Sequence, residues 1–245
     1  MELTVAELFA GVGGFRVGLN NIKSFGSDNR AIENRDWKFV WANQYEPSTK
    51  TQHAFNCYTT RFGEENSSNV DINKVNKSEI PNHSLLVGGF PCQDYSVARS
   101  ISKEKGIEGK EGAEVVGSII MKDVLIEKKS PFVLLENVDR LLKSPANKRG
   151  RDFAIMLKTF DELGYDVQWR VINAANYSMQ QKRRRIFIFA YKKSSKFAKT
   201  INKTNINLNT ENVFNKTFPV LPITDIELID LKSYGDTVDI SNNYK

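Results

Sequence analysis

The 245-residue chain is expected to fold as an α/β protein with a mostly parallel sheet and helices on both faces. Three observations lead there. Short apolar strands alternate with helical stretches up to about residue 190. A glycine-rich turn follows the first strand, where such folds bring the backbone close to a ligand. Two later apolar strands run directly into chemically active residues, at Gly89–Gln93 and at Glu136–Asn137, as expected where the carboxyl ends of parallel strands line a site.

The elements follow in order. Leu3–Phe9 reads as a buried strand and Phe15–Asn21 as a short helix. Trp37–Asn43 is a second strand, and Pro47–Arg61 a helix opened by a proline in its first turn. Ser84–Gly88 is a strand, Glu114–Lys128 a helix and Pro131–Asn137 a strand. Asp152–Leu163 is a helix stopped by Gly164, and Tyr165–Asn173 and Arg185–Tyr191 are strands. Asp94–Gly112 is polar and lysine-rich, longer than a plain connector needs. Residues 1–191 therefore read as one domain, and 192–245 as a polar tail too poor in apolar residues to bury much of a core alone.

Composition narrows the function. Hydrophobic residues make up 40% and charged residues 26%, as in soluble globular proteins. No run is long enough for a membrane span, and the N-terminus lacks the basic-then-apolar pattern of a signal peptide, so a cytoplasmic protein is expected. Two cysteines and two histidines are too few for a disulfide framework, and none has zinc-finger spacing. A net charge of +6 permits an anionic partner without requiring one.

Four segments carry chemistry. Phe9-Ala10-Gly11-Val12-Gly13-Gly14 suits a nucleotide-type ligand, although a turn that merely packs helix on strand would use the same glycines. It is not the full dinucleotide pattern G-x-G-x-x-G, which argues against a nicotinamide oxidoreductase. Glu46, after the second strand, could bind a ribose with Tyr45 facing a flat base, and a solvated acid beside a core-edge tyrosine would read the same; Asp71-Ile72 could border the base, but by itself reads as structural. Gly89-Phe90-Pro91-Cys92-Gln93 sets a cysteine at a strand end, where a thiolate makes a strong nucleophile. Cys57 falls inside a helix and reads as structural. Glu136 closes an apolar strand, a costly place for an acid unless it is paired or used, and Asn137 beside it can tie backbone groups. In Gln181-Lys182-Arg183-Arg184-Arg185, strand alternation would put Gln181, Arg183 and Arg185 on one face, suited to phosphate or a base carbonyl.

Taken together and in this order, the four segments resemble the motifs of the DNA cytosine-5 methyltransferase family: the Phe-x-Gly-x-Gly turn, the Pro-Cys nucleophile motif, Glu136-Asn137-Val138 and Gln181-x-Arg183-x-Arg185. The likeness covers roughly residues 3–191. It implies a Rossmann-like, S-adenosylmethionine-dependent methyltransferase fold acting on double-stranded DNA. Phe9, Gly11 and Gly13 would then line the cofactor, Gln44 or Glu46 take its ribose, Tyr45 lie on its adenine, and Asp71 and Ile72 border the ring. Cys92 would be the nucleophile, Glu136 hold ring N3 of a flipped-out cytosine, Arg185 grip its O2, and Arg183 steady the site. Ser96 would lie near the backbone phosphates as the 94–112 loop closes. Gln44 stands where the family usually has glutamate, and Glu111 and Glu114 where it has arginine and leucine.

The family continues past the arginine segment into a target-recognition region. Here the sequence leaves open a second polypeptide that supplies that region, a shortened product of low activity, or a tail that does more than its composition shows. RNA cytosine-5 methyl transfer and a catalytically silent regulatory subunit are the rival functions.

Overall fold

In the computed structural model, residues 2–90, 113–144, 148–203 and 212–220 are described, with side chains of the 113–128 helix from Met121 onward. The core is a seven-stranded sheet. Its strands are β1 (Thr4–Leu8), β4 (Lys38–Asn43), β5 (Ser67–Ser68), β6 (Leu85–Gly89), β7 (Phe132–Val138), β8 (Tyr165–Asn173) and β9 (Arg184–Lys192), in the order β5-β4-β1-β6-β7-β9-β8. The β5-β4, β4-β1, β1-β6 and β6-β7 pairs are parallel, and β9 runs antiparallel between β7 and β8. The expected mostly parallel sheet is therefore present.

Strands buried on both faces must be apolar almost throughout. β1, β6 and β7 meet that condition apart from Glu7 and the loaded ends of β6 and β7. One face packs Ala6, Leu8, Leu86, Val133, Leu135, Ile186 and Ile188 against α3 (Ala113–Lys128) and α4 (Arg151–Glu162) through Val124, Leu125, Phe153, Met156 and Phe160. The other packs Val5, Phe39, Leu85 and Val87 under Phe15 and Leu19 of α1 (Gly14–Asn20). Each fully buried side chain of this size stabilises by about 1.5–3 kcal/mol.

Register decides where the chemistry falls. Leu8 is level with Asn43 and Gly88, and Gly89 is level with Glu136. The glycine turn, the residues after β4 and the ends of β6 and β7 thus share one edge. Because β9 is antiparallel, its first residues lie at that same edge, with Arg185 opposite Val138.

Three elements differ from expectation. The helix expected from Pro47 begins only at His53 as α2 (His53–Phe62). The Gln52 carboxamide accepts from the Glu46 N–H (2.7 Å) and donates to the Glu46 carbonyl (2.9 Å) and the Thr49 carbonyl (3.0 Å), holding 46–52 as a turn. A hairpin of β2 (Ile22–Phe25) and β3 (Ala31–Glu33) was not foreseen. It lacks apolar alternation and is tied down by Glu33 instead. Past β9, the chain adds α5 (Lys196–Lys203), whose Phe197 packs on Phe132, Phe189 and Tyr191, and α6 (Val213–Thr217) beside β8. Among the described residues no helix is long and apolar enough to cross a membrane, and no cluster of His, Cys, Asp and Glu could hold a metal ion.

Candidate active site

At the β7 end, Glu136 Oε1 meets Arg185 Nε at 2.8 Å, both side chains about a quarter exposed. Parallel pairing with Gly89 brings the carboxyl against β6, where a Cβ on residue 89 would lie 3.3 Å from Glu136 Oε2. Glycine at 89 keeps that space clear. The Arg185 Nη1 also donates to the Arg184 carbonyl at 2.8 Å. The guanidinium is thus fixed at two points and still reached by water. A pair three-quarters shielded lies between an exposed and a sealed ion pair, and because water still reaches both partners a ligand can take the place of either.

Asn137, buried, faces the other side of β7. Its Nδ2 donates to the Phe90 carbonyl (3.3 Å), and its Oδ1 accepts from the Val138 N–H (2.8 Å). This is the backbone tie expected of it. Phe90 is itself buried, so the chain is anchored from below just before Pro91. Cys92, Ser96 and Glu111 lie outside the described residues, as does the side chain of Glu114. Arg183 is exposed, and its carbonyl accepts from the Ala174 N–H (2.9 Å). β9 begins only at Arg184, so Gln181 and Arg183 precede the strand and do not share a strand face with Arg185. The antiparallel ladder ends at Arg184–Asn173, which leaves 181–183 as connector.

At the β1 end, Phe9, Gly11 and Gly13 all have positive φ (53°, 56° and 91°). A Cβ at Gly13 would overlap the Phe62 ring, whereas one at Gly11 would meet nothing within 4 Å. Gly13 is therefore needed for packing, and Gly11 faces open space. Gln44 Oε1 accepts the Gly11 N–H (2.8 Å), and Asn69 Nδ2 donates to the Gln44 carbonyl (2.6 Å). Glu46 Oε2 accepts the Ala54 N–H (2.9 Å), which makes it a cap for α2 in place of the missing side-chain cap at Gln52. Tyr45 is exposed beside them. Asp71 Oδ1 accepts from the backbone and side-chain nitrogens of Asn73 (both 3.0 Å). Ile72 is buried in the apolar cluster on which Phe9 packs. An open glycine face, an exposed aromatic ring, and carboxamide and carboxylate groups at two strand ends fit a nucleoside with a charged tail.

Beneath the turn lies a group that sequence reading passed over. Glu7 is fully buried. Its Oε2 accepts from the Tyr58 hydroxyl (3.4 Å), and its Oε1 has no hydrogen-bond partner. Burial pushes its carboxyl up to about 8, against the opposing pull of the Arg16 charge, the Tyr58 hydroxyl and the Phe15 amide. Burial also raises the Tyr58 phenol, with Glu7 adding to it. Arg16 pairs with Glu33 (2.8 and 2.9 Å) and lies over the rings of Phe39 and Phe62 at 5.1 and 4.5 Å. Burial opposes its charge, but Glu33 and Tyr58 outweigh that. Asn20 Nδ2 donates to both Glu33 Oε1 and the Trp37 carbonyl (2.8 Å each). The cluster locks α1, α2 and the β2–β3 hairpin around the turn. An acid inside an otherwise apolar strand was the available signal.

Fold and site together define a doubly wound α/β protein whose candidate site residues gather along one sheet edge. A family model described as C-5 cytosine-specific DNA methylase matches residues 3–242, and the chain belongs to that family. It is 47% identical to the type II methyltransferase M.Sau3AI of Staphylococcus aureus, over 99% of this chain and 57% of that protein. It is 30% identical to the type II methyltransferase M.HhaI of Haemophilus parahaemolyticus, over 78% of this chain and 49% of that one. The S. pombe Dnmt2 methyltransferase structure superposes with a TM-score of 0.58 at 16% identity, covering 95% of this chain and 59% of the other, which shows the same fold. The chain spans about half the length of the curated relatives it matches.

Proposed function

We propose that the chain carries the catalytic machinery for methyl transfer from S-adenosylmethionine to carbon 5 of cytosine in double-stranded DNA. The observation that supports this most is the Glu136–Arg185 pair, 2.8 Å apart at the strand edge that runs into Pro91-Cys92. The glycine turn opens two strands away in the same sheet.

Carbon 5 of cytosine is a weak nucleophile, and stacked bases hide it. The base must therefore be flipped out of the duplex. The Cys92 thiolate adds to carbon 6, forming a carbon–sulfur bond and sending the ring π electrons toward carbon 5 and N3. Glu136 leaves Arg185, takes up a proton and through it holds or protonates N3, where negative charge develops; the proton is given back when the carbon–sulfur bond breaks. The freed Arg185 guanidinium turns to the O2 carbonyl, and Arg183 steadies the edge. When bound, S-adenosylmethionine would supply the electrophilic methyl group that carbon 5 takes up, its sulfonium–methyl bond breaking to leave a neutral thioether. A base removes the carbon-5 proton, the carbon–sulfur bond breaks, and the thiolate is regenerated. Phe9, Gly11 and Gly13 would line the donor, with Gln44 or Glu46 at its ribose, Tyr45 at its adenine, and Asp71 and Ile72 at the ring edge. The catalytic unit extends past residue 191, because Lys192 ends β9 and Phe197 of α5 packs on Phe132, Phe189 and Tyr191. We assign reading of the DNA sequence to residues outside this unit or to a second polypeptide.

Transfer of tritiated methyl groups to duplex DNA tests this reading, with transfer RNA as the competing substrate. Incorporation into DNA cytosine, lost in Glu136→Gln and Arg185→Ala, is the expected result. Incorporation into transfer RNA alone, or variants as active as the parent, overturns it.

A further inference from the structure

Backbone pairing between β7 and β9 runs from Phe132–Tyr191 to Val138–Arg185 and stops. One step further, Arg184 would face Asp139. Asp139, however, has left the sheet as the first residue of a 3-10 turn (Asp139–Lys143), while Arg184 is still paired with Asn173 on its other side. Side chains take over where the backbone ladder ends. Arg184 Nε meets Asp139 Oδ2 at 2.9 Å.

That contact bears on the site through one peptide. The Arg184 carbonyl is one of the two points that fix the Arg185 guanidinium, and Glu136 is the other. Neighbouring residues of a strand point to opposite faces. The end of β9 is therefore held on both faces, to β7 by Glu136–Arg185 and to the turn that follows β7 by Asp139–Arg184. The Arg184 side chain is more than half exposed, and pairs that wet contribute little to global folding. The contact sets an orientation at a strand terminus that would otherwise fray on its β7 side.

We infer that Asp139 is a positioning residue: through Arg184 it fixes the strand end that presents Arg185 to Glu136 and the pyrimidine. This rests on the reading of Glu136 and Arg185 given above. A misplacement on the order of 1 Å costs up to about 100-fold in rate, so a loosened Arg185 is visible in kinetics while the fold stays intact.

The test compares Asp139→Asn, Arg184→Gln and the charge-swapped double variant Asp139→Arg/Arg184→Asp. Nitrogen-15 spectra of the arginine Nε–H groups report on Arg185 without requiring turnover. Each single variant should speed solvent exchange of the Arg185 Nε–H several-fold, with Tm shifted by no more than about 3 °C. Each should slow methyl transfer to duplex DNA about tenfold with little change in KM for S-adenosylmethionine, and the swap should restore most of both losses. Unchanged Arg185 exchange in both single variants overturns the inference. So does an Arg184→Gln defect confined to DNA affinity and absent in Asp139→Asn, which makes Arg184 a phosphate contact instead. If Glu136→Gln and Arg185→Ala also transfer methyl groups at the parent rate, the site reading itself fails and this inference falls with it. Loss in those two with parent behaviour in Asp139→Asn removes the inference alone.

Discussion

Two carboxylates sit on neighbouring parts of one sheet and could hardly be treated more differently. Glu136 stands at a strand end, about a quarter exposed, against a guanidinium that water also reaches. Glu7 is sealed within β1 beneath the glycine turn, with one oxygen lacking any partner. The first pair is still reached by water, which suits a group that must exchange its partner for a ligand. The second is sealed away from any ligand, which suits a group that supports a loop. Chemistry and support are thus separated by solvent access, and each can be probed by a different measurement.

The largest expected effect is on rate at the wet site. Glu136→Gln should lower methyl transfer by about 100- to 1000-fold, as loss of a group aimed at developing charge does. It should change the urea-unfolding free energy by less than about 1 kcal/mol. A stability loss of several kcal/mol would break the comparison. Next comes Gly13→Ala at the sealed site. A positive φ of 91° and the Phe62 ring in the way of any Cβ should destabilise the fold by about 2–4 kcal/mol, read from the urea midpoint. Parent-like stability would mean that the turn is not held as described.

A subtler effect lies in pH. The Glu7 carboxyl rises from 4.5 to about 8 on folding. Its contribution is fully present below pH 4.5 and is lost as pH rises through 8. The parent should therefore lose stability across pH 4.5–8, and Glu7→Gln should flatten that slope and gain on the parent at pH 8. The Glu33 carboxyl is lowered on folding by Arg16 and Asn20 despite burial, so its contribution fades only below 4.5; the His83 imidazole, lowered from 6.5 by burial, adds an opposite slope below 6.5, which the parent and Glu7→Gln share and which therefore cancels in their difference. A slope of equal size in Glu7→Gln would place the titrating group elsewhere. Smallest of all, Lys193→Ala, which loses the exposed contact with Asp161, should leave the urea midpoint where it is in the parent.

The wet edge was more legible in sequence than its support. β8 was read to the residue, Tyr165–Asn173, because Gly164 marks its start, and Glu136 and Asn137 stood out as polar residues closing an apolar strand. The start of α2 was misplaced because Pro47 is a local signal, whereas the turn at 46–52 is set by side-chain bonds from Gln52. The β2–β3 hairpin escaped because its anchor, Glu33 on Arg16, is a tertiary contact with no periodicity. The Asp139–Arg184 contact could not be read at all. It exists only because β9 inserts antiparallel beside β7.

The central claim is that the residue-92 sulfur attacks cytosine at this edge, and a single-turnover trap tests it most directly. The chain is incubated with S-adenosylmethionine and duplex DNA containing 5-fluorocytosine, then digested and mapped by mass spectrometry. The account predicts a methylated fluoropyrimidine adduct on the peptide bearing Cys92 and none without the cofactor. Cys57, exposed on α2, is the internal control. An adduct on Cys57, or DNA bound with cofactor and no adduct at all, would contradict it.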